Sequence, residues 1–181
     1  MLGLRNLDEA APTTRHRSGG GAVLLRRAVT EDAAELFRLS APSMPAELVE
    51  RSAEFYRGRA DDFLVCAVDG ALAGCVGVHR FGGLAELYNV CVGAACRGRG
   101  LGALLTATAV LRLHQEGVPD AVLFSRTAVT WFTLLGFQPA DESILPAHRR
   151  ALIDRRRGSV LLRRPTRPDH LLVDALQPIG E

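Results

Sequence analysis

A strand, a glycine-rich turn and a helix follow one another directly near the middle of the chain. Residues 85–92 have the apolar content of a strand, residues 97–102 form an RGRGLG turn, and residues 104–111 are typical of a helix. The first turn of a helix carries N–H groups without intrahelical partners, and the helix dipole favours negative charge there. Glycine lacks the side chain that would keep a phosphate away from those amides. This order therefore predicts an anion-binding site at the start of the helix.

The spacing within the turn excludes the two best-known phosphate-binding loops. The chain has no lysine, so it lacks a G-x-x-x-x-G-K-[ST] loop, and it has no G-x-G-x-x-G followed about 20 residues later by an acidic residue. The pattern present is R-x-x-G-x-G, at Arg97, Gly100 and Gly102. It resembles the pyrophosphate-binding motif of the GCN5-related N-acetyltransferases (GNAT), which hold acetyl-coenzyme A (acetyl-CoA). The alternative is a helix that merely begins after a flexible turn. The cofactor-binding residues that the resemblance implies are Val90, Cys91, Val92, Arg97, Gly98, Arg99, Gly100, Leu101, Gly102 and Ala103.

The composition limits the class of protein. With 181 residues, of which 48% are hydrophobic, the chain is long enough for one domain with a sizeable core. A net charge of +2 gives no strong field toward nucleic acid or membrane. No apolar run reaches the roughly 18 residues of a membrane span, and the N-terminus has no apolar signal core. Four cysteines without a C-x-x-C pair are typical of buried thiols in a reducing compartment. We therefore expect a metal-free, cytoplasmic protein without nucleic-acid or membrane partners.

The order of elements predicts one α/β domain, over residues 22–164, between two tails. Residues 1–21 are polar and rich in glycine and proline, so we expect a disordered leader, and residues 165–181 form a C-terminal tail. Between them, periodicity and turn signals predict the order β-α-α-β-β-β-α-β-α-β and a final strand. This order favours a mixed, mostly antiparallel central sheet flanked by helices. The predicted strands are 22–28, 63–68, 71–81, 84–92, 121–125, one from 137, and 159–163; the predicted helices are 30–39, 46–57, 100–116 and 127–135.

The resemblance to the GNAT family covers residues 24–163. Residues 131–137, WFTLLGF, are similar to the family's later motif, a short helix that ends in Gly-Phe. Many members carry a tyrosine at the position of Phe132, and it protonates the departing CoA thiolate. Phenylalanine has no proton to give, so we expect water or Ser125, at the end of the preceding strand, to act instead. The alternative for Ser125 is a serine that only caps the strand end.

The closer resemblance is to the acetyltransferase domains of N-acetylglutamate synthases, the first enzymes of arginine biosynthesis. Residues 48–54, 69–81, 85–87 and 131–159 carry it, with an aromatic pair, Gly-Phe, Leu-Pro, basic residues and Arg-x-Ser in the last stretch. The resemblance implies glutamate as the acceptor, with Arg51 on its side-chain carboxylate, Arg157 beside or opposite Arg51, and Arg149 on the α-carboxylate. Arginine suits this task because it binds carboxylates through two parallel hydrogen bonds. The alternative for each arginine is a solvated surface charge.

Acetyl transfer to an amine requires that the ammonium group lose a proton before it attacks the thioester. Glu86, at the start of the central strand, matches the family's glutamate and is the candidate base; the alternative is an exposed glutamate at a strand start. A backbone N–H near Cys91 would polarise the thioester oxygen. We expect direct transfer in a ternary complex, since apolar surroundings would raise the pKa of Cys91 and keep it inert as a nucleophile.

Two departures from the synthase pattern leave alternatives open. Tyr88 and Asn89 stand where that pattern has small residues and a cysteine, and only about 21 residues precede the first predicted strand, so we expect a short, stand-alone enzyme. One alternative is a GNAT enzyme of another small amine, in resistance or secondary metabolism. Another is a non-catalytic acetyl-CoA-binding module. Nucleic-acid binding through residues 149–167 is weakly supported, because aromatic residues are not interleaved there. A homodimer and regulation by arginine stay open.

Overall fold

The strands of the protein form one eight-stranded sheet in the computed structural model, which describes residues 14–18, 21–41 and 52–177. The sheet order is β1-β2-β3-β4-β5-β6-β8-β7. The strands are β1 Thr14–Ser18, β2 Gly21–Arg27, β3 Phe63–Val68, β4 Ala71–Arg80, β5 Leu84–Val92, β6 Asp120–Ser125, β7 Gln138–Pro139 and β8 Val160–Pro165. The α-helices are α1 Ala33–Ser40, α2 Ala53–Arg57, α3 Leu101–Gln115, α4 Val129–Leu134, α5 Ala147–Arg150 and α6 His170–Ala175.

The pairing of the strands is mostly antiparallel, as predicted. The pairs β1–β2, β2–β3, β3–β4, β6–β8 and β7–β8 are antiparallel, whereas β5 and β6 are parallel. The parallel register runs from Leu84 opposite Asp120 to Glu86 opposite Val122. Since β5 continues to Val92 and β6 to Ser125, both strands extend beyond their shared ladder. The predicted fold class, a mixed α/β sheet flanked by helices, is confirmed.

The N-terminal segment differs from the prediction. Residues 14–18 form β1 instead of a disordered stretch, and β1 pairs with β2 from Thr14 opposite Leu25 to Ser18 opposite Gly21. The outer edge of β2 offers backbone partners to a further strand. Part of the predicted helix 46–57 lies outside the described residues, and its described end is α2.

Two compact units can be distinguished, one from the described parts of residues 1–77 with 89–105, the other from residues 78–88 and 106–177. In the first unit, Gly74 lies where a side chain would not fit. A Cβ atom there would stand 2.9 Å from the Cys91 carbonyl oxygen and 2.9 Å from the Leu105 Cδ1 atom. Contacts this short force neighbours to move, so the absence of a side chain lets β4 approach β5 and the start of α3. Apolar core residues of this unit include Val23, Leu36, Tyr56, Phe63 and Val65.

The second unit buries one arginine completely. Arg164 of β8 is 1% exposed, donates through Nη1 to the Leu135 carbonyl and through Nε to the Pro165 carbonyl at 3.1 Å, and places Nη2 2.7 Å from Asp169 Oδ2. Asp169 also accepts a hydrogen bond from the Leu172 N–H at 3.0 Å, so it caps α6. Arg164 therefore connects the end of α4 to the start of α6. Leu172 is buried, so α6, which lies in the predicted tail, packs against this unit.

An ion pair in the first unit gives a pH-dependent stability. Arg26 donates two hydrogen bonds to the buried Asp32, at 2.6 and 2.9 Å, and the Val29 N–H donates a third at 2.8 Å. The bond from Arg26 lowers the pKa of Asp32 below its usual value, against the opposing effect of burial. A carboxylate whose pKa is lower when folded contributes stability above its unfolded pKa of about 3.9, and this stability is lost as pH falls through the folded pKa.

Asp32→Asn is therefore expected to lower the free energy of unfolding by about 2 kcal/mol at pH 7, because two charge-assisted bonds are lost. The difference from the unchanged protein is expected to shrink below about pH 4. Urea unfolding at pH 7 and at pH 3 measures both values. Glu35→Gln, which removes an exposed ion pair with Arg38, is the control and is expected to change stability little. An equal loss for Asp32→Asn at both pH values would contradict the ionic origin of the effect.

Candidate functional site

The glycine turn in the first unit has the geometry of an anion-binding loop. Gly98 and Gly100 have φ values of +75° and +71°, a conformation that side chains disfavour. Arg97 is exposed and donates through Nε to the Val92 carbonyl at 3.2 Å, which ties the turn to the end of β5. The helix α3 begins at Leu101 and runs for 15 residues, so the positive end of its dipole lies at this turn. A Cβ placed on Gly98 would meet no atom within 4 Å, so the outer side of the turn is open.

The predicted cofactor residues that precede the turn lie at the end of β5. Val90 and Val92 are partly buried, and Cys91 is buried. The last residues of the predicted set, Leu101 to Ala103, form the first turn of α3. Strand end, glycine turn and helix start are therefore contiguous in the structure, as the sequence predicts. Their contact with a cofactor stays a prediction.

An asparagine in a left-handed conformation lies within β5. Asn89 has φ of +53°, and its Nδ2 donates to Ser40 Oγ at 2.7 Å and to Tyr56 Oη at 3.2 Å. Asparagine tolerates this conformation better than most residues. The bonds tie the end of α1 and the buried Tyr56 of α2 to the central strand. In the sequence, Asn89 is visible only as a departure from the synthase pattern, and its unusual residue type at that point was the available signal.

Three cysteines of the first unit are buried. Burial is the main cause that raises the pKa of Cys66, to about 12. The pKa of Cys75 is also raised, first by its contact with Cys91 and then by burial. The Sγ atom of Cys91 lies 3.5 Å from the Oδ1 atom of Asn89. Thiols that stay protonated are poor nucleophiles, which applies to Cys66 and Cys75. The inertness of Cys91 and direct transfer without an acyl-cysteine stay predictions.

The candidate base and one candidate substrate arginine meet in the second unit. Arg149 Nε donates to Glu86 Oε2 at 2.6 Å, and Arg149 Nη2 donates to Glu86 Oε1 at 2.8 Å. The guanidinium lies 4.9 Å from the centre of the Phe124 ring. Glu86 is 8% exposed, and its hydrogen bonds raise the pKa of Arg149 against the effect of burial. Glu86 is also the last residue of β5 in register with β6, so the pair stands where two parallel strands end their ladder. The alternative prediction, that Glu86 is an exposed glutamate at the start of a strand, is wrong because Glu86 is buried.

Ser125 lies at the end of β6 and is buried. Its Oγ accepts a hydrogen bond from the Ala128 N–H at 3.1 Å, just before α4 begins. This contact is the capping interaction that the sequence offered as the alternative reading. It does not occupy the hydroxyl proton, so the role of Ser125 as a proton donor stays a prediction. Phe132 on α4 packs edge-on between Trp131 and Phe137.

Of the other two predicted substrate arginines, Arg157 is the one that lies within the described residues. Arg157 is exposed, and its Nε lies 3.7 Å from Asp154 Oδ2. Arg51 lies outside the described residues. Among the residues that the structure describes, no cluster of histidine, cysteine or acidic side chains could hold a metal ion. In the same part of the chain, no helix has the length and apolarity needed to cross a membrane.

Comparisons with known proteins agree with the fold. A profile of the Acetyltransferase (GNAT) family matches residues 17–137. An amino-acid acetyltransferase of Pectobacterium atrosepticum is 27% identical over 141 residues, 76% of this chain and 32% of the relative. One of Pseudomonas fluorescens is 28% identical over 153 residues, 79% of this chain and 35% of the relative. N-acetylglutamate synthase from Neisseria gonorrhoeae, complexed with coenzyme A and N-acetyl-glutamate, superposes with a TM-score of 0.74 at 28% identity, over 81% of this chain and 35% of that one.

The chain belongs to the Acetyltransferase (GNAT) family, because the family profile matches more than half of it. The predicted family and fold are therefore confirmed. More narrowly, the chain is similar to amino-acid acetyltransferases and to N-acetylglutamate synthase. It spans about a third of the length of the curated relatives that it matches.

Proposed function

We propose that this chain transfers the acetyl group of acetyl-CoA to the α-amino group of a small acidic amino acid, with L-glutamate as the acceptor. The observation that carries the proposal is the buried Glu86–Arg149 pair beside the end of the β5–β6 ladder. It combines a carboxylate that can take a proton from an ammonium with a guanidinium that can bind a carboxylate. The relatives named amino-acid acetyltransferase and N-acetylglutamate synthase support this choice of substrate class.

The glycine turn fits the pyrophosphate of acetyl-CoA. The open side of Gly98, the exposed Arg97 and the positive end of α3 together suit a doubly charged phosphate group. Relatives complexed with coenzyme A support this assignment. Bound acetyl-CoA supplies an activated acetyl thioester, and no metal is needed for the transfer.

The residues of the chain have separate tasks in this proposal. Glu86 accepts the proton of the substrate ammonium, which frees the nitrogen lone pair for attack on the thioester carbon. A backbone N–H near Cys91 stabilises the developing oxyanion. The Ser125 hydroxyl, or water, returns a proton to the CoA thiolate. Arg149 binds the α-carboxylate, and Arg51 and Arg157 are proposed for the side-chain carboxylate, for which arginine is the preferred residue.

Release of CoA thiol tests the proposal against a panel of amines: glutamate, aspartate, glutamine, ornithine, lysine and an aminoglycoside. Saturable turnover with glutamate, lost in Arg149→Gln, is the expected result. Arg80→Gln removes a similar two-bond pair with Glu116 on the surface of the same unit and is expected to keep activity. Turnover with cationic amines alone would overturn the acceptor assignment and leave the family assignment intact. Acetyl-CoA binding without any turnover would favour a non-catalytic module.

The loop assignment leads to a prediction on cofactor affinity. Gly100→Ala is expected to weaken CoA binding about 10-fold or more, because a residue with φ near +71° is strained by about 1–2 kcal/mol when it carries a Cβ and the turn shifts to relieve it. Gly70→Ala is the matched control: Gly70 has φ of +86° and open space around it, in the β3–β4 hairpin of the same unit. Titration calorimetry with CoA and thermal unfolding separate the two effects. Both variants are expected to lose similar stability; an equal loss of affinity in both would contradict the loop assignment.

A further inference from the structure

The Glu86–Arg149 ion pair is less exposed to solvent than the Arg80–Glu116 pair on the surface. Both carboxylate oxygens accept hydrogen bonds from the guanidinium, and the ring of Phe124 lies 4.9 Å from the guanidinium carbon. The side chains of Arg149 and Glu86 are 19% and 11% exposed, against 41% and 32% for Arg80 and Glu116, which form the same two-bond geometry. Separation of a largely buried pair is costly, because each charge is left without water or a counter-ion. A ligand that separates Glu86 from Arg149 must therefore offer each of them a new partner.

An α-amino acid offers both partners on one carbon atom. Its carboxylate matches the two-donor fork of a guanidinium, and its ammonium matches a carboxylate. We propose that the Glu86–Arg149 pair is an exchange site: the α-carboxylate of the substrate replaces Glu86 on Arg149, and the substrate ammonium pairs with the released Glu86. This inference deepens the proposed function and rests on it. In the exchange one ion pair is replaced by two, so no buried charge loses its partner.

The exchange couples recognition to catalysis. Glu86 is directed at the ammonium only when a carboxylate has taken its place on Arg149, so the base is engaged by α-amino acids and not by simple amines. The ammonium then passes one proton to a Glu86 oxygen, which leaves a neutral carboxyl group and an amine with a free lone pair. Selection of an α-amino acid as acceptor thus follows from the pair itself, whatever the side-chain pocket accepts.

Glutarate is the probe that isolates the carboxylate half of the exchange, because it has the two carboxylates of glutamate and lacks its ammonium. In the unchanged chain, glutarate can bind Arg149 only by leaving Glu86 unpaired. Glu86→Gln removes that competitor, so calorimetry is expected to show glutarate binding about 10-fold tighter or more than in the unchanged chain. Arg149→Gln is expected to weaken glutarate binding by a similar factor. Glu116→Gln, the surface counterpart, is expected to leave it unchanged.

Equal glutarate affinity in the Glu86→Gln variant and the unchanged chain would overturn the exchange, since Glu86 would then not compete for Arg149. Glu86→Asp keeps the charge, shortens the side chain and provides a second variant if the glutamine variant does not fold. It is expected to bind glutarate with intermediate affinity, and unchanged affinity counts against the exchange. The amine panel is independent of this result. Absence of turnover with every amine in the unchanged chain refutes the proposed function. Turnover with glutamate, together with equal glutarate affinity in Glu86→Gln and the unchanged chain, refutes only the exchange.

Discussion

Replacement of Glu86 by glutamine is expected to lower the kcat of acetyl transfer about 10²–10⁴-fold, the range that general bases contribute. Glutamine has nearly the same shape and can still contact Arg149, but its amide cannot accept a proton from the ammonium. Because the glycine turn is unchanged, the KM for acetyl-CoA is expected to stay as it is. Steady-state rates of thiol release at saturating glutamate and acetyl-CoA measure the effect.

The pH profile distinguishes a base from a residue that only holds Arg149 in place. Without the base, the amine of glutamate must lose its proton to solvent before it can attack, so the kcat/KM deficit of Glu86→Gln relative to the unchanged chain is expected to shrink at alkaline pH, where the free amine is present. Glu116→Gln serves as the control, since Glu116 binds Arg80 with the same geometry on the surface. A Glu86→Gln variant with full kcat, or one whose deficit is the same at neutral and alkaline pH, would transfer the role of base to another group or to water.

Replacement of Arg164 by leucine is expected to lower the free energy of unfolding by about 3–5 kcal/mol, as loss of a buried charged partner does. The side chain is 1% exposed, donates hydrogen bonds to the Leu135 and Pro165 carbonyls and forms an ion pair with Asp169. Leucine is shorter, so it leaves a gap, and the buried Leu135 carbonyl at the end of α4 loses its donor. Urea unfolding followed by far-ultraviolet circular dichroism gives the difference.

The neighbouring residue supplies a matched control for this measurement. Arg163 stands next to Arg164 on β8, is half-exposed and lies 2.9 Å from Asp120 in an ion pair. Arg163→Leu is expected to cost less than about 1 kcal/mol, because exposed ion pairs contribute little. Similar losses in the two variants would mean that Arg164 contributes through general charge and not through its buried contacts.

Local sequence signals predicted the fold well where they were strong. The strand over residues 63–68 has the bounds that were expected, because an apolar run is closed by the Asp69-Gly70 hairpin turn. The glycine turn and the start of α3 were likewise placed correctly. Residues 14–18 were missed because their strand depends on pairing with β2, and a polar sequence gives no local sign of that partner.

The contacts of the site could be predicted only in part. Glu86 and Arg149 were each selected by motif, but they are 63 residues apart in sequence, and nothing local indicates that they bond. Arg163 and Arg164 illustrate the same limit: adjacent identical residues on β8 differ completely in exposure, because β6, α4 and α6 decide which of them is enclosed. Ser125 was predicted with two roles, and its backbone contact establishes the capping role alone.

The burial of the thiols makes the chain suitable for site-specific labelling. Of the four cysteines, Cys66, Cys75 and Cys91 are buried, whereas Cys96 is partly accessible in the short turn just before Arg97. An alkylating fluorophore is therefore expected to react first with Cys96, and Cys96→Ser to remove most of the label, as intact-protein mass spectrometry would show. A dye at Cys96 would stand beside the glycine turn, so its emission could report nucleotide binding in real time without any added mutation.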